Sequence, residues 1–204
     1  MKKSKDPAGP ASISRRTVLA GATLIPIAAI QAAPQSASPD AKATVFSPEQ
    51  RRTLDAFVDR LVPKDEFGPS ASECGVPDYI DRSLADYLAA EKGAFLEGLA
   101  GVDGFARSSQ GSPFADLSAE KQDAVLTAID GNQAPNLRAF FNRARRLTLE
   151  GMFCDPSYGG NRNFAGWDLI RYPGAKFAAG PGDQSMKKAP TPYRKPIYGD
   201  GHGH

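Results

Sequence analysis

The side chains of this chain that could carry out chemistry are two histidines, two cysteines and a set of carboxylates. His202 and His204 both fall within the last three residues, so the body of the chain contains no histidine. The commonest general base, the Ser–His and Cys–His nucleophile pairs and most transition-metal sites are therefore missing from the body. Asp65 and Glu66 form a candidate acid–base pair, although adjacent carboxylates often arise by chance. We predict that this chain has no catalytic, cofactor-binding or metal-binding residues of its own.

The N-terminal segment is typical of an export signal. Arg15 and Arg16 precede an uncharged apolar run over residues 18–30, which is shorter than the roughly 20 residues that a membrane helix needs. We predict a twin-arginine signal over residues 1–34, a linker over 35–45 and a periplasmic location. A general secretory signal that happens to contain two arginines is the alternative. Because the twin-arginine pathway transports folded proteins, such a chain could be exported with a partner already bound.

Cys74 and Cys154 are the two cysteines of the chain. In an exported protein an even number of cysteines favours a disulfide, so we predict a Cys74–Cys154 bridge. Two free buried thiols, or one cysteine bridging to a partner chain, are the alternatives.

The segment that follows the last predicted helix is rich in glycine and aromatic residues. It contains Pro-Ser-Tyr-Gly-Gly-Asn at residues 156–161 and Gly-Trp-Asp-Leu-Ile-Arg-Tyr-Pro-Gly at 166–174, and we call residues 156–174 the glycine–aromatic segment. Adjacent glycines occur where φ is positive or another backbone approaches closely, which predicts an irregular fold. Since aromatic side chains dominate interface energetics, we predict partner contacts at Tyr158, Gly159, Gly160, Asn161, Trp167 and Tyr172. An internal plug that closes the helical domain is the alternative for Trp167 and Tyr172.

Five amphipathic stretches predict the helices that must hold this segment. The first is capped by Ser47 and ends at Pro63, and the fourth is capped by Ser118. The second begins near residues 76–78, the third spans 92–107, the fourth closes at Gly131, and the fifth spans 135–150. No stretch shows sustained strand alternation. We predict an all-α fold with a single small domain over 46–178, comprising about five helices and the irregular segment, and then an extended or disordered tail over 179–204.

Two patterns on these helices suggest contacts. Glycines at 93, 98, 101 and 104 predict a close helix crossing rather than a nucleotide site, because no strand precedes them. Arginines line the polar side of the fifth helix, as a solvated face or a partner-facing stripe: Arg138, Arg143, Arg145 and Arg146. The net charge of +2 argues against nucleic acid as a partner.

Residues 151–161, with Gly166-Trp167 and the Arg171-Tyr172-Pro173-Gly174 turn behind them, resemble the gluconate 2-dehydrogenase small-subunit family (subunit 3, or gamma). The resemblance extends back to Leu61-Val62-Pro63 and to residues 75–81, and it covers roughly residues 45–176. The twin-arginine leader also fits this family.

The resemblance implies a partner. Members of this family are companions of a large flavin-dependent dehydrogenase of the glucose–methanol–choline type, which acts on the CH–OH group of a sugar, sugar acid or glycoside. That subunit often passes electrons to a multihaem cytochrome c, and it usually lacks a signal of its own. The resemblance therefore implies FAD in the large subunit, haem c in a third subunit, and an export address on this chain. It also allows association with the inner membrane through the complex.

Two departures from the family pattern matter. Cys74 and Cys154 both stand where the family commonly has alanine, and this paired replacement favours the internal disulfide. Arg171 stands where glycine is common before the aromatic-Pro-Gly turn. A free-standing periplasmic binding or scaffold protein, or a carboxylate-based periplasmic enzyme, are the alternatives to a non-catalytic subunit.

Overall fold

The computed structural model describes residues 44–176, 178, 180–181 and 191–197. Within this part of the chain there are six α-helices and no strand, which confirms the all-α prediction. The helices are α1 (Pro48–Leu61), α2 (Val76–Ala85), α3 (Lys92–Gln110), α4 (Ala119–Asp130), α5 (Pro135–Phe153) and α6 (Ala165–Leu169). The predicted signal with Arg15 and Arg16, most of the linker, and the terminal histidines lie outside the described residues. No helix that the structure describes combines the length and apolarity required to cross a membrane.

The helices begin close to the positions that the sequence predicts, whereas α3 and α5 end later than predicted. Ser47 and Gln50 form a capping box, in which Ser47 Oγ accepts from the Gln50 backbone (3.2 Å) and Gln50 Oε1 accepts from the Ser47 backbone (2.9 Å). Ser118 occupies the predicted N-cap of α4, but its side chain makes no capping bond to the backbone. Both α3 and α5 extend three residues beyond their predicted ends. Because α5 continues to Phe153, its last turn reaches into the glycine–aromatic segment.

Helix α5 lies at the centre of the domain and packs against α1, α2, α3 and α4. Its core is aromatic: the fully buried ring of Phe57 meets Phe140 edge-on at 5.7 Å and Phe141 at 6.0 Å between centroids. Such pairs contribute about 0.5–1.5 kcal/mol each beyond the burial of their area. A rigid central helix therefore carries the candidate site at its C-terminal end.

Helices α3 and α5 cross closely at two of the four predicted glycines. A methyl group added at Gly98 would lie 2.7 Å from Phe140 Cβ, and one added at Gly101 would lie 2.5 Å from Leu137 Cδ2. Methyl groups at Gly93 and Gly104 would meet nothing within 4 Å. The close-crossing prediction is confirmed for the first pair and wrong for the second, because Gly93 and Gly104 face solvent.

Because of this difference, we expect two alanine substitutions in α3 to change the free energy of unfolding in opposite directions. Gly98→Ala should lower the free energy of unfolding by about 2 kcal/mol, because the added methyl overlaps the Phe140 side chain. Gly104→Ala should raise it by about 0.5–1 kcal/mol, because alanine has the higher helix propensity and the position is open. Urea unfolding of both variants measures this, and equal destabilisation by the two would contradict the packing described here.

Three of the four arginines on the polar side of α5 form ion pairs within the domain: Arg138 with Asp130 (3.5 Å), Arg143 with Glu91 (2.8 Å) and Arg146 with Glu150 (2.7 Å). Arg145 is exposed and has no ion pair among the residues that the structure describes. Exposed pairs of this kind stabilise by about 0–1 kcal/mol each. The exposed guanidinium group of Arg145 remains available to a partner.

Candidate functional site

The glycine–aromatic segment follows the end of α5 at Phe153. Cys154 leaves the helix in an extended conformation (φ −62°, ψ 169°), and its N–H still donates to the Glu150 carbonyl (2.8 Å). Asp155 then caps the 3-10 turn Pro156–Tyr158, because its Oδ1 accepts from the Ser157 backbone at 3.0 Å. The chain turns back at Gly159, whose φ of +101° favours glycine.

Glycines in this segment allow backbones to approach one another. A methyl group on Gly160 would overlap the Gly151 carbonyl oxygen on the last turn of α5. A methyl group on Gly75, just before α2, would lie 2.8 Å from the Gly159 carbonyl oxygen. Contacts within the domain therefore explain why both positions are glycine. The Gly159 carbonyl lies against the residue that precedes α2, and Gly160 lies against the last turn of α5.

Hydrogen bonds from Asn161 connect the segment to α5 and α6. It is completely buried, and its backbone N–H donates to the Gly151 carbonyl at 2.8 Å. Its Nδ2 donates to the Cys154 carbonyl at 2.8 Å, while its Oδ1 accepts from the backbones of Gly166 (2.9 Å) and Trp167 (3.4 Å). Asn161 thus caps α6 from outside the helix, and this side chain is not available to a partner.

Trp167 is the internal plug that the alternative prediction described. It is buried, and its indole Nε1 donates to the Phe153 carbonyl at 3.0 Å. The Phe164 ring lies 5.3 Å away and the Tyr172 ring meets the indole edge-on at 5.0 Å. Sequence patterns missed α6 altogether, although the Gly-Trp pair within it marks the point where its backbone meets α5.

A Schellman motif ends α6 at the position of the Arg171 departure. Arg171 N donates to the Asp168 carbonyl (3.1 Å) and Tyr172 N to the Trp167 carbonyl (2.7 Å). Arg171 has a φ of +55°, in the left-handed region that favours glycine. The turn therefore keeps its geometry despite the arginine.

We expect Arg171→Gly to raise the free energy of unfolding by up to about 1 kcal/mol, because glycine adopts this φ without steric cost. Replacing Lys176, which is also exposed, with glycine provides a comparison that does not relieve a left-handed residue. Thermal unfolding of the two variants tests the expectation, and a loss of stability in Arg171→Gly would contradict it.

Four of the six residues predicted to contact a partner have little or no exposed side chain. Asn161 and Trp167 are buried, and the two glycines have no side chain to offer. Tyr158 and Tyr172 are 52% and 39% exposed, respectively. The structure therefore leaves these two rings as the accessible side chains of the predicted set.

An ion-pair chain that sequence patterns did not reveal connects the segment to α1 and α2. Arg162 Nη2 lies 2.8 Å from Asp78 Oδ2, and Asp78 Oδ1 lies 2.8 Å from Arg51 Nη1. Arg162 also donates its backbone N–H to the Cys74 carbonyl at 2.8 Å. Charges on three elements far apart in sequence meet here, so no local spacing could have indicated the network.

The predicted Cys74–Cys154 disulfide is not formed, and both cysteines are free thiols. Adjacent residues of the segment bind their carbonyl groups instead: Asn161 binds Cys154 and Arg162 binds Cys74. The Cys154 thiol is directed back along α5, with Sγ 3.5 Å from the Gly151 carbonyl oxygen. Hydrogen bonds through the loop thus connect the two cysteine-bearing segments that a bridge would have joined directly.

Burial makes both thiols poor nucleophiles. It raises the pKa of Cys74, and it raises the pKa of Cys154 from 9.0 to about 11. Since the thiolate is the reactive form, we expect slow labelling by a thiol reagent in the folded protein and two labelled thiols per chain after unfolding without reductant. Cys154→Ala, which should leave one labelled thiol, is the control. Fewer than two thiols in the unfolded wild type would contradict the structure.

The same pKa shift predicts a loss of stability in alkali. The folded state holds the Cys154 proton more tightly than the unfolded state, so this contribution is complete below the unfolded pKa and falls as the pH rises from about 9 to about 11. Urea midpoints measured across this range should fall less steeply for Cys154→Ala than for the wild type. Equal slopes would contradict the assignment.

Part of the predicted tail is held by the domain itself. Residues 191–197, which we call the strap, contact the glycine–aromatic segment at two points and Asp155, which directly precedes it, at a third. Tyr193 N donates to the Pro173 carbonyl (2.6 Å), Arg194 forms an ion pair with Asp168, and Ile197 N donates to Asp155 Oδ2 (2.8 Å). These residues form no helix or strand, and the two hydrogen bonds and the ion pair hold them against the domain.

The remaining candidate groups for chemistry do not converge. Asp65 closes a surface turn by accepting from the backbones of Phe67 (2.8 Å) and Gly68 (3.1 Å), and the adjacent Glu66 is exposed. No three residues of metal-ligating type cluster anywhere in the part of the chain that the structure describes. The main feature of this region is therefore a loop that internal hydrogen bonds hold in place, with Tyr158 and Tyr172 at its surface. We call it a locked loop.

Comparison with known proteins yields one family. The model of the family described as gluconate 2-dehydrogenase subunit 3 matches residues 48–174, which extends from the first residue of α1 to the end of the glycine–aromatic segment. No curated protein and no solved structure gives a significant match.

Proposed function

The chain belongs to the gluconate 2-dehydrogenase subunit 3 family, and on this premise we propose that it is the non-catalytic small subunit of a periplasmic FAD-dependent dehydrogenase complex. In this proposal the partner is a large flavoprotein of the glucose–methanol–choline type that oxidises a sugar, sugar acid or glycoside. FAD belongs to that subunit, and haem c to a third subunit where one is present. The observation that carries the proposal is the family match, because it includes the whole helical domain and the segment that completes it.

The geometry of the segment supports a binding role for this chain. Asn161, Asp155 and Asp78 are the polar groups that could have formed a reactive centre, and each is engaged in bonds within the domain. The side chains that the segment presents to solvent include Tyr158 and Tyr172, and tyrosine is among the residue types that dominate binding energy at interfaces. A locked loop of this kind offers a rigid surface, so a partner that binds it need not order it first.

Export of the flavoprotein by this chain is the part of the proposal that a substitution can test. Replacing Arg15 and Arg16 with lysine keeps the charge of the leader but removes the arginine pair. We expect the large subunit to accumulate in the cytoplasm of cells that express this double variant, together with the small subunit. Lys3→Arg changes a basic residue of the same leader and is the matched control. Normal periplasmic levels of the flavoprotein in the double variant would overturn the export role.

A further inference from the structure

One arginine makes three of the contacts that hold the strap against the domain. Arg194 Nη2 pairs with Asp168 in the last turn of α6, and Nη1 donates to the Tyr172 carbonyl at 3.2 Å. The guanidinium group also lies 6.0 Å from the centroid of the Phe164 ring. The Arg194 side chain is 25% exposed, whereas that of Asp168 is 61% exposed. A single side chain of the strap thus meets an ionic, a hydrogen-bonding and an aromatic partner.

The backbone of the strap lies beside the turn that ends the glycine–aromatic segment. Tyr193 N donates to the Pro173 carbonyl at 2.6 Å, and a methyl group added at Gly174 would overlap the Tyr193 carbonyl oxygen. Further along the strap, Ile197 N donates to Asp155 Oδ2 at 2.8 Å. The strap is therefore positioned at several points along its length and not at one point of attachment.

The sequence of the strap favours docking on this surface. Pro192 and Pro196 flank Arg194, and since proline fixes φ at about −65°, the released strap has fewer conformations to lose when it docks. The strap carries two adjacent basic residues, Arg194 and Lys195, and both side chains that it contacts through hydrogen bonds or ion pairs are carboxylates. Opposite charges therefore attract the strap to the surface that it covers.

The helical domain has a complete core without the strap. The buried hydrophobic cluster of the described residues consists of side chains between residues 46 and 152, and no strap side chain is buried. Tyr193 and Ile197 are 38% and 41% exposed, respectively. The family match also ends at residue 174, before the strap begins. Release of the strap would therefore leave the core intact, and it would break a partly exposed ionic contact of the kind that salt weakens.

We propose that the strap is a releasable clasp, which docks on the glycine–aromatic segment through Arg194 and leaves when salt screens its pairing with Asp168, while the helical domain stays folded. Release uncovers the Phe164 ring and the carbonyl groups of Tyr172 and Pro173. The clasp gives this surface a closed and an open state, and the populations of the two states depend on ionic strength. This inference concerns the chain by itself and does not rest on the proposed function.

The test is amide hydrogen exchange of the isotopically labelled full chain, followed by NMR at Tyr193 and Ile197, whose amides donate in the closed state. Raising NaCl from about 0.02 M to about 0.5 M should accelerate exchange at both amides at least about threefold, because the ion pair is screened. Arg194→Gln should accelerate exchange at least about fivefold at low salt and remove most of the salt dependence.

Lys195→Gln is the matched control, because it removes the neighbouring positive charge, which has no ion pair among the described residues. Exchange at the two strap amides should stay within about twofold of the wild type in this variant. Amides in the interior of α5 should exchange at the wild-type rate in every variant, which verifies that the domain remains folded.

Several results would overturn the inference. Strap amides that exchange as slowly as those of α5 would show that the strap opens only when the domain unfolds. Exchange of the wild-type strap at the rate of an unstructured peptide at low salt would show that there is no closed state. Equal rates at both salt concentrations, or equal acceleration in Arg194→Gln and Lys195→Gln, would contradict the role of the ion pair. Protection that falls when the protein is diluted would show that a second copy supplies the strap, which excludes an intramolecular clasp.

Discussion

Replacing Gly166 with alanine should detach α6 from α5 and lower the free energy of unfolding by at least about 3 kcal/mol. The added methyl would overlap the carbonyl oxygen of Met152 and lie 3.2 Å from Asn161 Oδ1. The obstacle is backbone on a fully packed helix, so it cannot rotate away as a side chain could. Helix α6 would have to move, and the hydrogen bond from the Trp167 indole to the Phe153 carbonyl would be lost with it.

The single tryptophan of the chain reports this detachment directly, because Trp167 lies on α6. We expect its emission to shift to longer wavelength in Gly166→Ala, and the urea midpoint to fall. Gly93→Ala adds the same methyl group at a helical position where it meets nothing within 4 Å, so it is the matched control. Wild-type emission and stability in Gly166→Ala would show that α6 does not pack as described.

Removing the Asn161 side chain should lower the free energy of unfolding nearly as much as Gly166→Ala does. Asn161→Ala deletes the donor to the Cys154 carbonyl and the acceptor for the Gly166 and Trp167 backbones, and it leaves these buried groups unpaired. We expect a loss of about 3 kcal/mol, since each buried polar group without a partner costs about 1–3 kcal/mol. Loss of the cap should also loosen α6 and shift the Trp167 emission.

Part of the stability lost in Asn161→Ala would come from placing alanine at a positive φ. The chain contains a control for this backbone contribution. Asn163 has a φ of +56°, close to the +46° of Asn161, but it is exposed and its side chain makes no hydrogen bond within the described residues. The difference between Asn161→Ala and Asn163→Ala in urea unfolding therefore isolates the buried bonds. Equal losses in the two variants would contradict the role assigned to Asn161.

The helices could be predicted because their starts are encoded locally. Ser47 and Pro135 stand directly before or at the first residue of a helix, and their chemistry acts within one turn. The last turn of α5 could not be predicted in the same way. Its Gly151 carbonyl is bonded by Asn161, so the helix is completed by residues that follow it in the chain.

The short helix α6 escaped prediction for a related reason. It has five residues, Phe164 at its start adopts a positive φ, and its cap is Asn161, which lies outside the helix and its adjacent turn. A local pattern search looks for a capping residue immediately before a periodic apolar run, and neither is present here.

The candidate site could be located from the sequence, but the roles of its residues could not. Trp167 and Tyr158 are both aromatic residues in a glycine-rich segment, yet one closes the domain and the other faces solvent. Residue type alone does not distinguish a plug from a binding surface, because both uses exploit the same large apolar area.

The most direct test of the account is to purify the full chain from its native host through an affinity tag and record the absorbance spectrum of what accompanies it. We predict a large protein with the absorbance of a bound flavin, together with haem absorbance where a cytochrome subunit is present. The Tyr158→Ala variant should recover less of that protein than the wild type does. A wild-type chain that purifies without any flavoprotein would contradict the proposal that it is the small subunit of a flavin-dependent dehydrogenase.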